Sequence, residues 1–188
     1  MSELIDELLQ DAAERMSKSV DATNHEFSSV RTGRASPALL DRVHVDYYGA
    51  LTPLKQLATI NAAEAQLLTV QPYDKSSIKA IERSIMESDL GLTPNNDGSI
   101  IRLVLPELTE ERRKQLVKVV RGLTEEGKVA LRNIRRDVMH DLKELRESGE
   151  AGADDEHRAE EALQKLTDDK VKELDALLKG KEAEILEV

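Results

Sequence analysis

The sequence predicts an α+β protein, a long three-helix bundle with a small α/β (β-α-β) domain inserted after its first helix. Three observations predict it. Apolar residues recur at steps of three and four in three long segments, while the segment between the first and second shifts to a period of two. Charge changes at the same borders, since residues 1–30 carry seven acids against two bases whereas residues 31–105 carry eight of each.

Along the first segment Ile5, Leu8, Ala12, Met16, Val20, Phe27 and Val30, with Thr23 filling the remaining place, lie on one face of a helix. The inserted segment opens with alternating Val43, Val45 and Tyr47, turns at Tyr48-Gly49-Ala50, and resumes as a strand over 65–73. Asp74 or Ser76 is placed to cap a short helix carrying Ile78, Ile81, Ile85 and Met86. A breaker cluster over 91–98 then precedes a closing strand over 99–105. Pro106 ends that strand, and Thr109 is the expected N-cap of the second helix, with Glu110 and Glu111 in the first turn where the helix dipole favours anions. Its apolar string runs Leu116, Val120, Leu123, Gly127, Ala130, Ile134, Val138, Leu142, Leu145. A helix reaching Glu147 is roughly 60 Å long at about 1.5 Å per residue. Two glycines over 147–155 turn the chain, Asp154 or Asp155 is a candidate cap, and the third string follows as Ala159, Leu163, Leu166, Val171, Leu174, Leu178, Ile185. Each seam is too narrow to be buried alone, so the three satisfy one another. The expected domains are therefore 1–30 with 106–188, and 31–105. Where the chain leaves and re-enters the bundle, near 30–34 and 104–107, two adjacent strands form a candidate hinge of Val30, Arg31, Thr32, Gly33, Leu105 and Pro106.

Composition narrows the function classes. Only Phe27, Tyr47, Tyr48 and Tyr73 are aromatic, and cysteine is absent, which removes disulfides and thiolate metal sites. No apolar stretch approaches the roughly 18 residues of a membrane helix, and the N-terminus lacks a basic start followed by an apolar run. The expectation is a cytoplasmic protein that engages no membrane. There is no glycine-rich phosphate loop, nucleophile elbow, His-Glu-x-x-His or calcium loop. His140 and Glu144 share a helix face, but two ligands do not make a metal site. His25, His44 and His157 have no cysteine or regularly spaced acid in the sequence that singles them out as ligands. The expectation is no catalytic residue, no metal and no cofactor.

The net charge is −10, yet nine basic residues between Glu110 and Asp137 meet only five acids, leaving −14 on the remainder. At about 100° per residue, Lys114, Lys118, Arg121, Lys128, Arg132, Arg135 and Arg136 fall within roughly 60° of one line along the helix. Opposite them lies the apolar string. A stripe of this kind suits a polyanion docking along it, and the planar guanidinium of arginine, dominant toward the C-terminal end, grips phosphate with paired hydrogen bonds. Arg31 and Arg34, flanking Gly33 at the junction, add two more forks. No aromatic residues interleave with the stripe, so phosphate and shape recognition of folded RNA fits better than stacking on single strands. Periodicity alone leaves a second reading open, that of a helical RNA-binding adaptor or coiled-coil scaffold whose stripe binds an acidic protein.

Five segments resemble the ribosome recycling factor family, in the family's order. They are Val30-Arg-Thr-Gly-Arg-Ala-Ser-Pro37, Tyr47-Tyr-Gly-Ala-Leu-Thr-Pro-Leu-Lys-Gln-Leu-Ala58, Ser88-Asp-Leu-Gly-Leu-Thr-Pro94 with Asn95 and Asn96, Pro106-Glu-Leu-Thr-Glu-Glu-Arg-Arg-Lys114, and Val129-Ala-Leu-Arg-Asn-Ile-Arg-Arg-Asp137. The resemblance covers essentially the whole chain. It implies a rigid three-helix bundle joined by a two-strand hinge to the small domain in an L-shape, acting as a monomer on the ribosome and not on DNA. It also implies large-subunit ribosomal RNA and elongation factor G with GTP as partners. The implied activity is separation of post-termination subunits, which releases mRNA and tRNA. By motif it assigns Arg132 and Arg135 to RNA, supported by Arg31; Arg136, Arg34, Arg121, Lys118 and Lys128 complete the expected RNA-binding set. Arg112 to Lys114 read instead as first-turn surface.

Overall fold

The computed structural model describes residues 3–187. Five α-helices and six strands follow in chain order: α1 Glu3–Ser28, β1 His44–Tyr47, β2 Ala50–Pro53, α2 Leu54–Leu57, β3 Ala58–Glu64, β4 Leu67–Pro72, α3 Ile78–Met86, β5 Pro94–Asn96, β6 Ile101–Val104, α4 Glu110–Glu147 and α5 Ala153–Leu186. The architecture is the expected α+β, with long helices before and after a small sheet domain along the chain. Backbone packing divides it into two compact units, Met1–Phe27 with Lys118–Glu182, and Ser28–Val117 with Ala183–Val188.

In the first unit the apolar faces of α1, α4 and α5 meet in one core. Ile5, Ala12, Met16, Val20, Leu131, Val138, Leu142, Ala159, Leu163 and Leu174 are buried there, with Leu8, Ile134, Leu145 and Leu166 packed around them. The expected seams are recovered with a drift. On α4 the buried line passes through Thr124 and Leu131, which the simple string omits, because 3.6 residues per turn slides the contact face relative to any fixed step. Buried Thr23, Thr124 and Thr167 leave no orphan hydroxyl, since each donates to the carbonyl four residues earlier, on Ser19, Val120 and Leu163. Ion pairs tie the rim: Arg15 to Asp137 at 3.4 Å, Lys128 to Asp175 at 2.7 Å, and Arg146 to Glu156 at 3.2 Å.

Thr109 caps α4 as expected, its Oγ1 accepting from the Arg112 amide at 3.1 Å. The expected cap of α5 is corrected. Asp154 and Asp155 lie inside its first turn, and the amides of Asp155 and Glu156 donate to the Gly152 carbonyl. Their carboxylates stay where the dipole favours them.

The second unit holds a four-stranded antiparallel sheet in the order β3-β4-β6-β5 and a separate β1-β2 hairpin. Its core is built from Leu39, Leu40, Val43, Val45, Leu68, Val70, Ile78, Ile81, Ile85, Ile101, Leu103 and Leu105. Three strands were expected and six form. Edge strand β3 escapes a period-two reading because only Ala58 is buried, and β5 lies within the breaker cluster. The hairpin turn at Tyr48 (φ 49°) and Gly49 (φ 81°) puts both residues in the left-handed region, the requirement of the type I′ turn that matches strand twist. Asp74 accepts from the Ser76 amide at 2.9 Å and starts a 3-10 turn that leads into α3. Met86, expected on the buried face of α3, is instead 65% exposed, because that helix ends as the chain leaves the core.

Asp97 organises the turn between β5 and β6. Its carboxylate accepts from the Ser99 and Ile100 amides, each at 3.0 Å, and pairs with Arg102 at 2.9 Å. The Ile100 amide, then Arg102 and the Ser99 amide, lower its pKa from the usual carboxylate range to about 2. A depressed native pKa means this contribution is full above about pH 4, the ordinary aspartate value, and is lost as pH falls through the native value. Carboxylate titration by NMR should place the Asp97 midpoint near pH 2, with the Ser99 and Ile100 amide shifts following it. A midpoint near 4 would refute the turn geometry.

Candidate nucleic-acid interface

Helix α4 carries Lys118, Arg121, Lys128, Arg132, Arg135 and Arg136 within the first unit, while Arg31 and Arg34 belong to the second. A continuous helix follows from the Thr109 cap, the acidic first turn and a sequence without proline between 110 and 147. Its basic residues differ sharply in what they touch. Lys114 pairs with Glu110 at 2.8 Å, and Arg121 with Glu182 of α5 at 2.6 Å. Lys128, with a side chain only 18% exposed, lies 2.7 Å from Asp175 and 3.7 Å from Glu125. The hydrogen bond to Glu182 raises the Arg121 pKa, and the bond to Asp175 raises that of Lys128 against the opposing effect of burial.

Lys118, Arg132 and Arg136 are exposed and Arg135 is half-buried, and these four have no ion-pair partner among the described residues. A paired cation must give up its carboxylate, or share it, before it can hold a phosphate. An unpaired one has only water to lose. The stripe therefore resolves into a neutralised middle, Arg121 to Lys128, and a free C-terminal cluster, Arg132 to Arg136. Periodicity groups them together; the acids of α5 separate them.

Arg31 and Arg34 are both engaged within their own unit. The Arg31 Nη2 donates to the Pro106 carbonyl, its Nε is buried with no acceptor among the described residues, and burial, followed by the nearby Arg112 charge, lowers its pKa. Arg34 pairs with Glu187 at 2.9 Å. Of the remaining hinge candidates, Val30 and Gly33 are half-buried and Pro106 exposed. Thr32 is buried, its hydroxyl accepting from the Arg34 amide at 3.3 Å, and Leu105 is buried in the sheet core with its amide on the Gln66 carbonyl. The sequence reading set Arg112 and Arg113 aside as surface. Here the Arg112 charge acts on Arg31, and the Arg113 Nε is buried with no partner among the described residues. Arg113 and Arg34 line one cleft of about 390 Å³ with Glu64, Glu107, Glu184 and Glu187. The signal for this was the basic pair Arg112-Arg113 in the first turn of α4, just after the two acids that follow the N-cap.

His140, Asp141 and Glu144 bring ligand atoms within 4.8 Å of one another on α4. With His140 and Glu144 exposed and Asp141 half-buried on one helix face, they are explained by the His140–Glu144 contact at 3.7 Å. No described helix is long and apolar enough to cross a membrane.

Known proteins match this chain over nearly its whole length. The family model for ribosome recycling factor matches residues 23–186. A ribosome-recycling factor from Rubrobacter xylanophilus is 55% identical over 188 residues, spanning all of both chains. One from Halalkalibacterium halodurans is 55% identical over 182 residues, covering 97% of this chain and 98% of its own. Among solved structures, a solution structure of the ribosome recycling factor matches with a TM-score of 0.76 at 39% identity, covering 100% of both chains. A chain from models for the T. thermophilus ribosome recycling factor and the E. coli elongation factor G bound to the E. coli post-termination complex matches with a TM-score of 0.67 at 46% identity, covering 97% of this chain and 98% of that one. Matched by the family model over residues 23–186 and 55% identical to a relative along its whole length, this chain belongs to the ribosome recycling factor family.

Proposed function

We propose that this protein binds the post-termination ribosome and, with elongation factor G and GTP, separates the subunits so that mRNA and tRNA are released. The observation that carries the reading is the free arginine cluster, Arg132, Arg135 and Arg136, on an otherwise acidic chain, which favours placed contact with large-subunit ribosomal RNA over general adhesion to nucleic acid. The protein acts in the cytoplasm as a monomer and is not an enzyme. It takes no DNA, no membrane and no cofactor, and the energy comes from GTP hydrolysis by its partner factor. The bundle, residues 1–30 with 106–188, is the ribosome-binding body, and 31–105 is the domain on which the partner acts. Segments 30–34 and 104–107 serve as the hinge. The Arg31 bond to the Pro106 carbonyl supports that assignment by linking the two strands through a single side chain.

The test is direct. Purified post-termination ribosomes mixed with this protein, elongation factor G and GTP should show light scattering fall as subunits separate, and omission of any one component should abolish the fall. Scattering that stays level with all components present overturns the reading. Ribosome pelleting at graded salt should show the protein leaving the pellet steeply as salt rises; a scaffold for acidic proteins would stay in the supernatant throughout.

A further inference from the structure

At the end of the bundle where α4 turns into α5, a groove of about 580 Å³ opens between α1 and α4, in the size range of ligand clefts. Leu4, Leu8 and Leu145 form its apolar lining, and no α5 side chain closes it. Leu4 is 42% exposed although it lies one residue before fully buried Ile5, so the apolar surface of α1 extends past the part its neighbours cover. The edge of the groove carries five acids: Glu7, Asp11, Asp141, Glu144 and Glu150. Asp11 is shared with Arg15 at 3.6 Å, Glu144 lies 3.7 Å from His140, and Glu150 accepts from the Ser148 hydroxyl at 3.0 Å. Glu7 and Asp141 have no ion-pair partner among the described residues. The groove is therefore the electrostatic opposite of the arginine cluster on the same helix.

We infer that this groove is a docking site for a basic amphipathic helix of a protein partner, with leucine-like residues seated on Leu4, Leu8 and Leu145 and lysines or arginines against the carboxylate edge. Charge complementarity selects the occupant. A phosphate backbone or an anionic lipid surface would meet five carboxylates, whereas a cationic helix with one apolar ridge satisfies both the floor and the edge. Packing of an apolar helix face into a groove between two helices is a common recognition mode, with anchors at steps of three and four. This assignment stands apart from the RNA surface and does not depend on the ribosome reading.

The test uses the full chain and a fluorescein-labelled, roughly 18-residue peptide with leucines at i, i+3, i+4 and i+7 and lysines elsewhere. Anisotropy should show saturable one-site binding at physiological salt, about tenfold tighter than that of an equally charged peptide with serine in place of leucine. Glu7→Lys and Asp141→Lys should each weaken binding about tenfold, and Leu4→Ser about fivefold, while Glu161→Lys on α5 should change it less than about twofold. Equal binding of the serine peptide, or an equal loss from Glu161→Lys, reduces the attraction to diffuse charge and overturns the proposal. Because a substitution could disturb the bundle, the wild-type chain gives a parallel readout. Peptide addition should shift the methyl resonances of Leu4, Leu8 and Leu145 and leave those of Leu68 and Leu103 in the sheet core in place; shifts spread over both cores would refute the site.

Discussion

Replacing Arg132 and Arg135 together with alanine is expected to weaken binding to the large ribosomal subunit by about 100-fold, taking about 1.5 kcal/mol for each charge-assisted hydrogen bond to phosphate that the substitution removes. The salt dependence should become shallower as well, the slope of log affinity against log salt falling by roughly 1.5 for two phosphates no longer neutralised. Neither side chain has an intramolecular ion pair among the described residues, so thermal stability should remain within about 0.5 kcal/mol of the parent. Arg121→Ala supplies the contrast. Its guanidinium is held at 2.6 Å by Glu182, so its removal should cost less binding than Arg132→Ala while exposing a carboxylate that α4 had neutralised. Equilibrium binding to purified large subunits at several salt concentrations, with a melting curve for each variant, decides the matter. Equal losses for Arg121→Ala and Arg132→Ala would refute the distinction between paired and free cations, and wild-type affinity in the double variant would remove α4 from the RNA surface.

The second large effect is a reversal of sign between two glycines of one helix. Gly122 and Gly127 both lie inside α4, where alanine is favoured over glycine by about 1 kcal/mol. At Gly122 an added methyl meets nothing within 4 Å, so Gly122→Ala should stabilise the protein by about 0.5–1 kcal/mol. At Gly127 the methyl would lie 2.7 Å from the Thr23 Oγ1 and 3.2 Å from a Leu174 methyl, in the close approach of α1, α4 and α5. Thr23 is β-branched and its hydroxyl is bonded to the Ser19 carbonyl, so it has little freedom to withdraw. Overpacking costs about 1–3 kcal/mol and the upper part of that range exceeds the propensity gain, so Gly127→Ala should destabilise by about 1–2 kcal/mol net. The melting temperature should fall by about 2–4 °C per kcal/mol for a chain of this size. Thr23→Ala in the same chain should recover part of the loss, giving a coupling energy above about 0.5 kcal/mol in a double-mutant cycle. Additive effects would mean that Thr23 is not the obstruction.

Gly127 marks the boundary of what a linear pattern reveals. It was legible as one member of the apolar string of α4, and the structure does bury it. Its reason for being glycine is not in that string, because the atoms it must admit belong to Thr23 and Leu174, far away in sequence. Leu131 is a related case. It lies four residues beyond Gly127 and is fully buried, yet a string advancing by Ala130 and Ile134 passes beside it. The sheet domain was less legible than the helices. Strands β4 and β6 present buried residues in alternation, as Leu68 and Val70 or Ile101 and Leu103. The outer strands β3 and β5 do not, since an edge strand exposed to water is under little pressure to alternate and is held by backbone hydrogen bonds that any residue can make.

The three long helices, the place of the insert, the Thr109 cap and the gathering of basic residues on one face of α4 all follow from the linear order of residues. Those properties depend on neighbours within a few positions, where helical and strand periods dictate which side chains share a face. Which of the cations are free is settled by packing alone. Arg121 and Lys128 are neutralised by Glu182 and Asp175, which α5 brings alongside after the chain has reversed, while Arg132, Arg135 and Arg136 meet no such acid among the described residues. The same packing left Leu4, Leu8 and Leu145 lining an open acidic groove. A helix can be read from its own residues because its hydrogen bonds are local. The charge it offers to a partner depends on side chains that are distant in sequence, because Coulomb attraction at about 3 or 4 Å takes no account of the length of chain between them.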